Sequence, residues 1–354
     1  MRRGVLLFRA DATVASGTGH VMRCLALAQA WHDAGGHAVF TMADATPAVE
    51  ERLRSEGFEV RRLVVRVGSV ADAEKTAKLA HEHNAWWAVV DGYGFGAEYQ
   101  ASLKSRGLKV LFIDDNGHAG HYSADLVLNQ NVYAEEALYR SRELSTKLLL
   151  GPRFAMLRRE FAAWREWRRE NPAIVRKLLV TMGGSDPDNI TEQVLHVILA
   201  KCELEVTVVV GGSNPHRRKL RTLAEKHCGT VHLVENASNM PQLIADADVA
   251  VAGAGTTSLE MCFLGLPAVL IVLADNQRTV AEELGRRGVA IHLAEGATTS
   301  ALAEHLASLL ASPDRRNAMS EMGRKLVDGR GAERVAAKLS DETVTTNDSG
   351  GEAE

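Results

Sequence analysis

The feature that most limits how this chain can fold is a series of short, unbroken apolar runs separated by amphipathic stretches, and the series occurs twice. In the first half the runs fall at residues 5–8, 38–42, 59–65, 87–91, 109–114 and 126–128. In the second they fall at 178–182, 205–210, 231–234, 249–252 and 268–272. A continuous run such as AVLIVL at 268–273 is how a strand reads when helices cover both faces of a parallel sheet. The stretches between have helical period: in 22–34, Leu25, Ala28 and Trp31 recur on one face. Further helices are expected from Pro47 onward and at 191–199, 217–226, 240–244, 258–264 and 280–288. Two consecutive β-α series predict an α/β fold of two doubly wound, Rossmann-like domains facing a cleft.

The expected boundaries are a first domain over 1–150, a linker helix over 151–171, a second domain over 172–339 and a tail over 340–354. The linker is rich in arginine (Arg158, Arg159, Arg165, Arg168, Arg169), as a solvated connecting helix would be. The tail is acidic and poor in large apolar residues, which predicts disorder.

A chain of 354 residues suits two domains, and each can bury its own core. A net charge of −4 gives no basic excess for nucleic acid. The cysteines Cys24, Cys202, Cys228 and Cys262 form no C-x-x-C pair, so neither a zinc site nor a disulfide framework is expected. The first apolar run ends at Arg9, too short for a signal peptide, and no run approaches the roughly 18 residues of a membrane span. A cytoplasmic monomer with no membrane insertion is expected.

Chemistry-bearing residues gather where strands end. Ser16-Gly17-Thr18-Gly19-His20 follows the first strand and opens the 22–34 helix. Glycines there let a ligand approach the backbone, and a helix N-terminus offers unpaired N–H groups. A dinucleotide fingerprint would need glycine where Met22 stands, so a nicotinamide site is disfavoured. His20 closes the loop, and a neutral imidazole there can take a proton from water or a hydroxyl.

In the second half Gly253-Ala254-Gly255-Thr256-Thr257-Ser258 again joins a strand to a helix, suiting a diphosphate. Glu260 could accept hydrogen bonds from ribose hydroxyls, or simply be favoured by the helix dipole. Glycine turns at Gly183-Gly184-Ser185-Asp186 and Gly211-Gly212-Ser213-Asn214, with the carboxamides Asn276 and Gln277, fall after neighbouring strands. Asp91-Gly92-Tyr93-Gly94, Asp114-Asp115 and 129–131 follow strands of the first half and should lie near His20. Asp114 and Asp115 alternate sides if extended, which predicts that one braces a loop.

These motifs, in order from FRADA and GTGHVMRCLALAQAW through DGYG, IDD, ADLVLNQN, GPRFAMLRREF, TMGGSDPDN, VVVGGSNP, GAGTTSLE, CFLGLP and LADNQ to VDGRGAERV, resemble one family. It is that of the UDP-2,4-diacetamido-2,4,6-trideoxy-β-L-altropyranose hydrolases of pseudaminic acid synthesis, with their spore-coat polysaccharide relatives. The resemblance implies the B-type glycosyltransferase fold, with UDP bound by the second domain. It implies metal-independent hydrolysis without a cofactor, in which the histidine matching His20 activates water and UDP leaves. Gly255, Thr256, Thr257, Ser258 and Glu260 would hold diphosphate and ribose, and Gly17, Gly19, Gly183, Gly184 and Ser185 would line the same site. Tyr93, Asn276 and Gln277 would contact the sugar, and Arg9 and Asp11 would line the mouth, with Asp11 and Tyr93 counted beside His20 as catalytic. The alternatives are an inverting UDP-sugar glycosyltransferase of the same fold and a non-catalytic nucleotide-sugar binding protein.

Overall fold

The computed structural model describes residues 3–13, 17–201, 203–294 and 299–348; Ser16 and Cys202 lie outside them. The described residues of 1–12, 20–159 and 329–354 form one compact unit, and those of 13–19 with 160–328 form a second.

The first unit runs β1 (Val5–Ala10), α1 (Gly19–Asp33), β2 (His37–Met42), α2 (Pro47–Ser55), β3 (Glu59–Arg62), α3 (Val70–Glu82), β4 (Ala85–Asp91), α4 (Ala97–Lys104), β5 (Lys109–Ile113), β6 (Leu126–Asn129) and β7 (Lys147–Leu150). The strands form one parallel sheet in the order β3-β2-β1-β4-β5-β6-β7. Its interior is made by the predicted apolar runs: Leu6, Phe8, Trp87, Val89, Leu111 and Leu126 are buried on one face, together with Val21, Leu25 and Trp31 of α1. Each such large side chain contributes about 1.5–3 kcal/mol.

The second unit runs β8 (Lys177–Thr181), α5 (Ile190–Lys201), β9 (Glu205–Val210), α6 (Arg217–Lys226), β10 (Val231–Glu235), α7 (Met240–Asp246), β11 (Val249–Gly253), α8 (Thr257–Leu264), β12 (Ala268–Ile271), α9 (Arg278–Arg286), β13 (Ile291–Leu293), α10 (Thr299–Ala311) and α11 (Pro313–Leu326). Its parallel sheet has the order β10-β9-β8-β11-β12-β13. In each sheet the winding reverses once, between β1 and β4 and between β8 and β11. Doubly wound sheets take ligands at the carboxyl ends of the strands beside such a reversal.

Two stretches depart from expectation. No α-helix links the domains over 151–171; the backbone makes 3-10 turns at Pro152–Phe154 and Arg159–Trp164 instead. The consecutive residues Phe154, Ala155, Met156 and Leu157 are all buried, which one face of a helix cannot achieve. Nor are the arginines simply solvated. Arg169 donates to the carbonyls of Ile244 (2.6 Å), Ala247 (2.5 Å) and Leu264 (3.1 Å). Burial without a carboxylate in contact lowers its pKa to about 10.

The second departure is at the C-terminus. Helix α12 (Gly331–Asp348) begins inside the range expected for the second domain and runs into the expected tail, yet it packs in the first unit. Ala332, Val335, Ala336 and Leu339 recur at i, i+3, i+4 and i+7 and are buried with the first core. Glu342 pairs with Lys147 at 2.5 Å. Residues 349–354 of the tail lie outside the described residues.

Candidate active site

The register aligns Ala10, the last residue of β1, with Asp91, the last of β4. Helix α1 starts at Gly19, earlier than its apolar periodicity implies, so His20 lies in its first turn with Arg23 one turn on. His20 Nδ1 is 2.7 Å from Asp91 Oδ1. Arg23 Nη2 also lies 3.2 Å from Nδ1, but the carboxylate is nearer and only accepts, so in the neutral ring the contact favours the proton on Nδ1 and the lone pair on Nε2. The sheet's reversal point therefore pairs a histidine with a buried carboxylate.

Arg23 completes the arrangement. Its Nε and Nη2 donate to Asp91 Oδ2 (2.6 Å) and Oδ1 (2.7 Å), and its Nη1 donates to Asp115 Oδ1 (2.8 Å) and Oδ2 (2.9 Å). Burial alone would raise the Asp91 pKa. The charge of Arg23 and the contact with His20 outweigh it and hold Asp91 far below the usual carboxylate range. Burial likewise opposes the Arg23 charge, and Asp115 with Asp91 reverses that and raises its pKa. Asn131 Nδ2 reaches Asp115 Oδ1 at 2.6 Å and Asn129 Oδ1 at 3.0 Å, tying the end of β6 into the network.

Asp114 and Asp115 do diverge. Asp114 braces its own loop, accepting from the backbone N–H groups of Asn116 (2.8 Å), Gly117 (3.0 Å) and His118 (3.1 Å) and from the Tyr122 hydroxyl. His118 Nδ1 lies 2.9 Å from Asp114 Oδ1, and its Nε2 lies 3.0 Å from the Phe95 carbonyl. Burial would lower the His118 pKa, but its hydrogen bond to Asp114 prevails and raises it. Tyr93, 40% exposed, stands edge-on to His20 with ring centroids 5.0 Å apart.

Two expected site residues are placed otherwise. Arg9 is fully buried and cannot line a mouth. Its Nε and Nη2 donate to Asp72 at 2.9 Å each, and its guanidinium lies 4.9 Å from the centre of the Phe95 ring. Asp11 pairs with Arg9 at 2.8 Å and accepts the backbone N–H groups of Ala43 (2.7 Å) and Asp44 (3.0 Å). Arg9 thus ties β1 to α3, and Asp11 braces the loop that follows β2.

In the second unit the reversal point is flanked by the glycine turns after β8 and β11. Gly183 adopts φ 77°, where glycine is favoured. Asp186 accepts from Ile190 N (2.8 Å) and Thr191 N (3.0 Å) and so caps α5. A side chain at Gly211 would run into the carbonyl of Gly184, so the turns after β8 and β9 meet backbone to backbone. Gly17, with φ 72°, and Gly19 belong to a segment that counts with this unit, where Gly19 lies beside Thr256 and Thr18 beside Gly184.

At the start of α8, Ser258 Oγ donates to the Gly255 carbonyl at 2.7 Å, closing the turn, while Thr256 and Thr257 are half-buried. The first-turn N–H groups of a helix lack intrahelical partners. Glu260 is buried. Gln277 accepts from Leu273 N (3.1 Å) and packs beside Gly255; Asn276 next to it is exposed. Gly183, Gly184, Ser185, Gly255, Thr256, Thr257, Ser258, Glu260 and Gln277 thus belong to one unit. Among the described residues no three His, Cys, Asp or Glu side chains gather to hold a metal ion, and no helix is long and apolar enough to cross a membrane.

Sequence reasoning expected Asp91 and Asp115 near His20 but missed Arg23 as the residue that joins the two carboxylates. Its signal was present: Arg23 lies at i+3 from His20, and Asp91 ends the strand predicted before DGYG.

Two parallel sheets, each with one reversal point, make this a protein of the B-type glycosyltransferase fold. The solved structure of MurG from Acinetobacter baumannii matches with a TM-score of 0.64 at 17% identity, covering 96% of this chain and 99% of that one. Residues 178–335 match the glycosyltransferase family 28 C-terminal domain.

Sequence relatives narrow the comparison. The UDP-2,4-diacetamido-2,4,6-trideoxy-beta-L-altropyranose hydrolase of Campylobacter jejuni is 25% identical over 289 residues, 80% of this chain and 97% of that protein. The spore coat polysaccharide biosynthesis protein SpsG of Bacillus subtilis is 29% identical over 240 residues, 66% of this chain and 69% of that protein. An uncharacterized protein of Methanocaldococcus jannaschii is 25% identical over 290 residues, 80% of this chain, which spans only 58% of that protein's length. The chain is a homologue of the hydrolase and of its spore-coat relative, as its motifs implied.

Proposed function

We propose that this chain hydrolyses a UDP-linked diacetamido-trideoxy sugar to free sugar and UDP, with inversion, without a metal and without a cofactor. It would act as a cytoplasmic monomer in a pathway towards a nonulosonic acid. The observation that carries the reading is the His20–Asp91 pair, which supports Nε2 as the proton acceptor of the neutral ring. The similarity to the Campylobacter jejuni hydrolase supplies the substrate class.

In this reading His20 Nε2 takes a proton from water as its oxygen bonds to the anomeric carbon. The bond from that carbon to the diphosphate oxygen breaks, and its electron pair leaves with UDP. The imidazolium that forms is stabilised by Asp91, which Arg23 keeps ionised and oriented. Negative charge developing on the leaving oxygen suits the first turn of α8, where Gly255, Thr256 and Thr257 offer backbone N–H groups. Glu260 accepts from ribose hydroxyls; Tyr93, Asn276 and Gln277 contact the sugar. No residue serves as covalent nucleophile, so attack opposite the leaving group inverts the centre.

The family 28 domain favours a second reading, in which an acceptor hydroxyl replaces water at the same base. The pairing of His20 with a buried carboxylate favours catalysis over a non-catalytic binding role.

The test is UDP release from a UDP-diacetamido-sugar in the presence of EDTA, with early-time NMR of the sugar, with and without candidate acceptors. Full turnover without acceptor, a first product of opposite anomeric configuration and a loss of roughly 10²–10⁴-fold in His20→Asn are expected. A retained anomer removes the single displacement. Large acceleration by an acceptor moves the assignment to transfer, and loss of activity with EDTA removes the metal-free mechanism.

A further inference from the structure

Tyr93 occupies an exposed turn whose backbone leaves room for little else. Gly92 has φ 142° with the Phe95 ring against it, and a side chain at Gly94 would meet Val67 Cγ1 at 2.8 Å. The turn fixes where the chain goes. What stands against the Tyr93 ring is a pair of imidazoles. His20 lies edge-to-face at 5.0 Å and 84°, and His118 lies edge-to-face at 5.5 Å and 76°.

His118 is itself held at both ends. Nδ1 faces the Asp114 carboxylate at 2.9 Å and Nε2 faces the Phe95 carbonyl at 3.0 Å, while its ring tilts against Phe112 at 5.9 Å. Both partners accept and neither donates, so the two contacts favour a proton on each nitrogen, the imidazolium form. Asp114 is anchored by three backbone N–H groups and Tyr122, so it does not follow the histidine if the histidine moves. With both nitrogens engaged, His118 has no donor left for a substrate.

We propose that His118 is the positioning residue for Tyr93, and through Tyr93 for the ring of His20. A cation beside an aromatic ring is attracted to its face, and an edge-to-face pair fixes the angle between planes. His118 therefore holds Tyr93 against His20, whose Nδ1 is held by Asp91. The consequence for turnover rests on the reading of His20 as the base; the positioning of Tyr93 does not.

The experiment uses the full chain, isotope-labelled at histidine and tyrosine, as wild type and His118→Gln. At neutral pH the wild type should show both His118 ring nitrogens protonated, and His118→Gln should shift the Tyr93 ring resonances. With the UDP-diacetamido-sugar, kcat should fall about ten- to a hundredfold while the dissociation constant for UDP stays within about twofold. A His118 protonated at one nitrogen, or Tyr93 resonances unmoved in a folded His118→Gln, overturns the proposal. So does a kcat that stays within twofold while the Tyr93 resonances move. Should His118→Gln not fold, Asp114→Asn removes the carboxylate under Nδ1 and takes the same readouts. If the wild type turns over no UDP-sugar, the reading of the reaction fails and the NMR outcomes alone decide the positioning.

Discussion

Replacing Asp91 with asparagine tests the assignment of His20 most directly, because it changes one atom's hydrogen-bonding role and almost no volume. Asp91 accepts from His20 Nδ1 at 2.7 Å and from Arg23 at 2.6 and 2.7 Å. An asparagine can keep its oxygen on Arg23 Nε, and its amide then faces His20 Nδ1 as a donor. Nδ1 must become the acceptor, the proton moves to Nε2, and the base is lost. Losing the carboxylate of an Asp–His pair costs about 10⁴-fold in kcat in the serine protease example, so a loss of about three to four decades is expected, or about 4–5.5 kcal/mol of barrier. Stability should fall too. Breaking a buried ion pair typically costs about 3–5 kcal/mol; Arg23 keeps both oxygens of Asp115, which points to about 3 kcal/mol or less for the first unit. The assay is UDP release at saturating substrate, with ¹⁵N NMR of His20 to read its tautomer. A variant whose Nε2 stays unprotonated, or whose kcat is within tenfold of wild type, would refute the reasoning.

Two further outcomes follow from the same geometry. Glu260→Ala should weaken UDP binding roughly 10–150-fold, as for a charged hydrogen-bond acceptor worth about 1.5–3 kcal/mol, with α8 retained; calorimetry with UDP checks it, and an unchanged dissociation constant leaves Glu260 only its place in the helix. The His118–Asp114 pair should make stability depend on pH with a definite sign. The His118 pKa is raised on folding, so its contribution is complete below the unfolded value of about 6.5 and is lost as pH rises through the folded one. The difference in melting temperature between wild type and His118→Gln should accordingly be larger near about pH 6 than near about pH 9, and equal differences would remove the linkage.

How much of this was legible in the sequence depends on which physical signal carried it. Continuous apolar runs announce strands buried on both faces, so the two α/β series could be read directly, and glycine turns after strands point to the carboxyl edges. Strand order could not be read the same way. Nothing local says that β4 lies beside β1, yet that adjacency puts Asp91 under His20. Arg9 shows the opposite failure. It stands next to a strand end and carries a charge suited to a ligand, but the alternation of a strand aims it inward at Asp72, 63 residues away. Helix α12 was read as second domain up to residue 339 and as tail beyond it, because the stripe of Ala332, Val335, Ala336 and Leu339 does not say which core it joins.

The two reversal points share an architecture and divide the chemistry by charge. At the first, the side chains after β1 and β4 are a histidine and a carboxylate, with an arginine that satisfies both carboxylate oxygens. At the second, the turns after β8 and β11 carry glycines and hydroxyls, with Asp186 turned to α5 and no arginine or lysine among residues 183–186 or 253–258, so what these turns offer an anion is backbone N–H groups and hydroxyls. Fixed dipoles need no proton and no reorganisation as charge develops on a leaving group, whereas a base must change protonation state and needs its tautomer set beforehand. That contrast is what the reading of His20 as base and the α8 turn as anion cradle draws on, and it is why one atom changed at Asp91 should silence turnover while UDP still binds.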